Sequence, residues 1–312
     1  MNLPLTKRLK VSLFSLCVSA SALAQTDVDG IMMGRKNLCS GVLFGRSAWT
    51  NYWEGTFYRD NKNLGTVSAT SAMAMANYGI TDKLNIIAGL PWIRTKASAG
   101  TMIGREGFQD LSVAAKYKFY TRTIGAVDVS GIGIIGGSVP VTNYVADYLP
   151  LAIGMHSKNA MARLMADAEW KHFFGTISGT YMVRSNVKID RNSYYTNEMH
   201  YTNLVAMPDV WMWNARLGYR KGDLILEAVF DRMNTQGGFD IRKNDMPFPS
   251  NNMEATRLGL NAKIPVPKTN GLSLILNGMQ TVAGRNMGKS SSWMFGFFYL
   301  ADVSKKTKGG IK

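Results

Sequence analysis

Stretches of about ten residues in which apolar and polar side chains alternate recur along this chain, separated by clusters of turn-forming residues. Successive side chains of a strand point to opposite faces, so the pattern commits the chain to β-structure with two unlike faces. In Ala162 to Lys171, one face carries Ala162, Leu164, Ala166, Ala168 and Trp170, and the other Arg163, Met165, Asp167, Glu169 and Lys171. Asp110 to Phe119 sets Leu111, Val113, Ala115, Tyr117 and Phe119 against Asp110, Ser112, Lys116 and Lys118. Val210 to Arg220 sets Trp211, Trp213, Ala215, Leu217 and Tyr219 against Asn214, Arg216 and Arg220. Parity alone does not say which face is inside.

Three features place the apolar face in lipid and the polar face around a lumen. Strands of about nine to eleven tilted residues cross a bilayer, whereas soluble strands cluster near five or six. About twelve such strands are expected, over Asn51 to Arg59, Thr66 to Tyr78, Leu84 to Thr95, Asp110 to Tyr120, Val127 to Pro140, Ala160 to Lys171, Thr176 to Asn186, Val210 to Arg220, Leu224 to Met233, Met253 to Ile264, Leu272 to Val282 and Ser291 to Leu300. Links after even-numbered strands are mostly short, as at Gly79-Ile80-Thr81-Asp82 and Lys221-Gly222, while most others are long, notably Val187 to Asp209 and Asn234 to Asn252. Aromatic girdles complete the pattern: Trp92, Trp211 and Trp293 stand at long-loop ends, and Tyr78, Tyr219 and Tyr299 at short-turn ends. The expected fold is therefore all-β, a transmembrane antiparallel up-and-down β-barrel of the bacterial outer membrane. A closed sheet also pairs every backbone group that lipid would leave unsatisfied.

Composition agrees with this. Hydrophobic residues make up 46% of the 312, which excludes wholesale disorder, while charged residues are only 18%. Beyond the first two dozen residues no apolar run reaches about eighteen, the length of a membrane-crossing helix. Those first residues read as an export signal over 1–24: Lys7, Arg8 and Lys10, an apolar stretch from Val11 to Ala20, then Ala22-Leu23-Ala24 before cleavage at Gln25. Cys17 leaves with it and Leu16 precedes that cysteine, so no lipid anchor is expected. Cys39 remains alone, so no intramolecular disulfide forms. The chain carries a formal charge of +15. Export and the lack of a compact Lys/Arg block argue against nucleic acid, leaving anionic outer-membrane lipid, including lipopolysaccharide, as the partner. Residues 25–48 lack clean periodicity and form either a periplasmic lead or a lumen plug; the plug is favoured because Met and Leu groups there need cover from water. Residues 49–302 form the barrel, and 303–312 a basic periplasmic tail.

Three stretches resemble a known family: Tyr78-Gly79-Ile80-Thr81-Asp82-Lys83-Leu84, then Leu90-Pro91, then Gly107-Phe108-Gln109-Asp110-Leu111-Ser112-Val113-Ala114-Ala115-Lys116-Tyr117. They are similar to the outer-membrane transporter-like proteins named after the meta pathway of phenol degradation. The resemblance covers about a tenth of the mature chain by motif, and its turn and strand-start residues suit barrels generally. It implies an outer-membrane barrel that passes small apolar or aromatic compounds. The Lys-rich tail past Phe298-Tyr299 departs from barrels that end on an aromatic, the end presented to the barrel assembly machinery.

No catalytic residue, metal ligand set or cofactor site is expected. His156 and Ser157 are adjacent in sequence and would point apart on a strand; His172 and His200 have no ligand-spaced partner. Gly131, Gly133, Gly136 and Gly137 lack the following Lys-Ser/Thr and helix of a phosphate-binding loop. The candidate functional residues are the charges of the lumen face: Asp167, Glu169, Arg184, Arg216, Glu227, Asp231 and Arg257. With Lys221-Gly222 as the central pair of a hairpin, Arg216 is expected opposite Glu227, where the two either simply neutralise each other across strands or form part of a charged constriction. The sequence thus reads as a monomeric channel or transporter for a small-molecule solute. The rival readings are a membrane-embedded lipid hydrolase and an adhesive barrel acting through its long loops.

Overall fold

A computed structural model describes residues 26–243 and 245–304. The expected signal and most of the expected tail lie outside these residues. Twelve long antiparallel strands form the wall: β1 (Asn37–Trp49), β2 (Val67–Thr81), β3 (Leu84–Ala97), β4 (Asp110–Ile124), β5 (Val127–Pro140), β6 (Asn159–Trp170), β7 (Phe173–Arg184), β8 (Val210–Lys221), β9 (Leu224–Thr235), β10 (Glu254–Pro265), β11 (Leu272–Arg285) and β12 (Ser291–Asp302). Each pairs with its neighbours in sequence, and β1 pairs with both β2 and β12, which closes the sheet.

The parity of the faces is as the charges require. Leu164 is 69% exposed on the outer wall, while its neighbours Arg163, Met165 and Asp167 are buried inside. An arrangement with charges within and large apolar groups without is stable only where the outer surroundings are hydrocarbon. The girdle residues Tyr78, Trp92, Trp211, Tyr219, Trp293 and Tyr299 all take the outer parity of their strands.

Two expectations need correction. Asn51 to Arg59 is not a wall strand: Asn51–Glu54 and Phe57–Asp60 pair with each other in a small hairpin turning at Gly55, whose φ is +56°. The first wall strand is Asn37–Trp49, taken from the segment read as lead. Its inner face presents Cys39, Gly41, Leu43 and Gly45, and its outer face Ser40, Val42, Phe44 and Arg46, so no polar–apolar contrast marks the strand in the sequence. The second correction is the β8–β9 register. Lys221 pairs with Leu224, so the two turn residues are Gly222 and Asp223, and Arg216 lies opposite Val229. Gly222, at φ +56°, supplies the left-handed backbone such a tight turn needs.

The long loops pack on one another. Ala146, from the loop after β5, joins Val187, Ile189, Val205 and Met207 of the loop after β7, and Phe248 of the loop after β9, in one buried cluster. Asp240 receives two hydrogen bonds from Arg285, Nε to Oδ1 at 2.8 Å and Nη2 to Oδ2 at 2.6 Å, which tie the loop after β9 to the end of β11. That bonding holds the Asp240 carboxyl below its ordinary range.

Candidate functional site: a plugged, two-sided lumen

Residues 26–33 run inside the barrel, and residues 34–36 join them to β1 at the rim. They leave β1 at the short-turn end and engage inward-facing side chains of strands around the wall. Met33 exchanges two hydrogen bonds with Asn85 of β3, its N–H donating to Oδ1 at 2.8 Å and its carbonyl accepting from Nδ2 at 2.9 Å. Ile31 packs against Phe174 of β7 and Ile225 of β9. Gly30 lies so close to Asp167 of β6 that a Cβ there would fall 2.0 Å from Oδ1. The two acids of the segment meet two wall cations. Lys116 of β4, with a fully buried side chain, donates to Asp29 Oδ1 at 3.0 Å, to the Asp29 carbonyl at 2.7 Å and to the Thr26 carbonyl at 3.0 Å. Arg163 of β6 pairs with Asp27 at 2.9 Å and donates to Thr180 at 2.6 Å.

The lumen charges fall into three places. Arg216 Nη1 meets Glu227 Oε2 at 2.6 Å even though the two are not directly opposite, because a long arginine spans the diagonal to the residue facing Gly218. Asn261 of β10 donates to the same carboxylate at 3.0 Å. Arg216 Nε also donates to Asn214 Oδ1 at 3.0 Å, Asn214 to Asp231 at 3.3 Å, and Arg257 Nε to Asp231 at 2.9 Å. These six side chains form one polar ladder across β8, β9 and β10. Asp167 and Glu169 belong to a second group: Arg220 reaches Glu169 at 2.8 Å and Asp167 at 3.7 Å, with its guanidinium 3.9 Å above the Phe174 ring. Arg184 stands apart at the long-loop rim, where Nε donates to the Pro208 carbonyl at 2.7 Å. The sequence reading missed Lys116, Arg163 and Arg220 as site residues, although their inward parity was visible in it.

Beside residues 26–31 the lumen keeps a cavity of about 230 Å³. Met73, Met75, Ile275, Met294 and Phe298 line it from β2, β11 and β12, and Arg216, Glu227, Asn261 and Lys263 from β8, β9 and β10, with Asn277 of β11 and Ile225 of β9 interleaved. Among the described residues, no group of three or more His, Cys, Asp or Glu could hold a metal ion. Ser157 donates its hydroxyl to Asn159 at 2.9 Å, and the His156 ring sits edge-on to Tyr144.

A closed sheet of twelve strands with an apolar outer band, short turns at one end and long loops at the other defines a β-barrel of the bacterial outer membrane. Its fold is similar to that of an outer membrane channel from Pseudomonas putida F1, with a TM-score of 0.70 at 14% identity, covering 89% of this chain and 100% of that one. The NanC porin and the translocator domain of the autotransporter NalP from Neisseria meningitidis match at a TM-score of 0.45, with 9% and 12% identity. They cover 82% and 84% of this chain and 98% and 87% of their own, and at that level no argument rests on them. No family model matches the chain, and no curated protein does.

Proposed function

We propose that the barrel is a channel for small molecules with an apolar or aromatic body. The two-sided cavity carries this reading. A lumen built only for ions or sugars would be polar all round, whereas here thioethers, Ile275 and Phe298 face a hydrogen-bonding ladder. Such a space suits a solute with a polarisable body and one polar edge. The plug sets the resting state, because residues 26–33 are bonded to the walls around this cavity. The partners in this reading are the surrounding lipid, including lipopolysaccharide, the assembly machinery and the solute. The barrel works as a monomer, and its chemistry is passage and not turnover.

Cells whose lipopolysaccharide layer excludes the apolar dye N-phenyl-1-naphthylamine provide the test. Cells making a form that lacks residues 26–35 should accumulate the dye faster than cells making the intact chain. Equal accumulation in both and in cells lacking the protein, with the barrel properly inserted, would overturn the proposal.

A further inference from the structure

Methionine and leucine are close in volume and hydrophobicity, so a barrel that sorted side chains by polarity alone would put both in its lipid band. This one largely separates them, Leu43 and Leu300 being leucines that do point inward. All nine methionines in the twelve strands point into the lumen, from Met73 in β2 to Met294 in β12. Leu111, Leu164, Leu217, Leu258, Leu260 and Leu276 stand exposed on the outer wall. With two faces available to each residue, independent placement would give nine inward methionines about once in five hundred times.

The inward methionines also sit together. Met161 of β6 pairs directly with Met182 of β7, and Met212 of β8 directly with Met233 of β9. Met182 and Met212 are diagonal neighbours, since Met182 faces Val210 and Met212 faces Thr180. Four consecutive strands therefore each place a thioether at one level, in the long-loop half of the lumen. Directly opposed side chains on one face have Cβ atoms about 4.5–5.5 Å apart, within the reach of a methionine pair converging on one ion. All four are half-buried. Lower down, Met73, Met75 and Met294, which border the lumen cavity, pack against the buried cluster that includes Met33 of the plug.

Thioether sulfur is a soft donor that selects monovalent copper or silver over zinc, calcium or magnesium. The described residues offer no His, Cys or carboxylate cluster that would draw a harder metal to the same place. We infer that the belt of Met161, Met182, Met212 and Met233 is a binding site for a soft monovalent cation, Cu(I) or its redox-inert counterpart Ag(I). The lower group offers the same chemistry further along the lumen. Binding involves no change of oxidation state and no bond other than sulfur to metal. It is also separable from apolar solute passage, which depends on displacing the plug.

The intact barrel, labelled with ¹³C at the methionine methyl groups and held in detergent, should be titrated with silver nitrate in chloride-free buffer and followed by NMR. The methyl signals of Met161, Met182, Met212 and Met233 should shift and saturate, while that of the loop residue Met246 stays in place and Zn(II) moves none of them. The M182L/M212L variant keeps the packing volume and loses two donors, so its Ag(I) affinity should fall at least tenfold, with heat-modifiable gel migration showing that the barrel is intact. Absence of the shifts in the unsubstituted protein, equal movement of Met246, or unchanged affinity in the folded variant would each overturn the assignment.

Discussion

Lys116 shows how one residue can tie the lumen's contents to its wall. Its ammonium has three acceptors, all from the plug, and its side chain is fully buried. Lys116→Met therefore leaves Asp29 buried without its cation, a loss of about 3–5 kcal/mol for a broken buried pair. Urea unfolding in lipid vesicles should show that loss, and Lys116→Met combined with Asp29→Asn should recover part of it. Asp240 gives a pH effect at the opposite end. Its folded pKa lies below the ordinary carboxylate value of about 3.9, so its contribution is complete above that value and is lost as pH falls through the depressed one. Protease added at neutral pH should cut the loop after β9 in Asp240→Asn and spare it in the unsubstituted barrel. In the latter, cutting by an acid-active protease should begin only below about pH 4. Equal resistance of the two proteins at neutral pH would show that the Asp240–Arg285 contact does not hold this loop.

At the scale of elements, the strand β6 separates the two faces most cleanly. Leu164→Arg puts a cation into hydrocarbon near mid-strand and should destabilise the barrel by about 2–4 kcal/mol in the same titration. Asp167→Asn keeps the shape of the inner face and should cost less. Asp167→Arg is not a mild control, because it would set a cation beside Arg220 and press on the backbone at Gly30. The parity of β4, β6 and β8 was legible in the sequence, since each alternates charge with bulk. The strand β1 was not, because its inner face packs on the plug and on Leu300 and Phe298 and is as apolar as its outer face. The β8–β9 register failed for a related reason. Keeping charges out of lipid excludes every slip by one residue and permits every slip by two, and the true pairing differs from the expected one by two. The Arg216–Glu227 contact survived because arginine is long enough to cover the difference. The plug latches were illegible because they join residues 87 and 136 positions apart.

For the whole molecule, the corrected first strand changes what a useful truncation is. Removing residues 25–45 would delete most of β1 and leave β2 and β12 without their shared partner. Removing 26–35 leaves every wall pairing in place. That shorter deletion should raise single-channel conductance in a planar bilayer while preserving heat-modifiable folding. Unchanged conductance in inserted protein would mean that the long loops, and not the plug, set the resistance. Continuity between plug and β1 has a consequence for how such a wall is made. The pairing of the first and last strands closes the cylinder, and the first strand is covalently preceded by the segment that occupies the interior. Whatever the order in which the other hairpins come together, the cylinder cannot become watertight at its seam without bringing its own stopper to the rim. Where the shorter deletion raises conductance as expected, a newly completed copy joins the permeability barrier already shut, and the cell is spared an interval with an open hole.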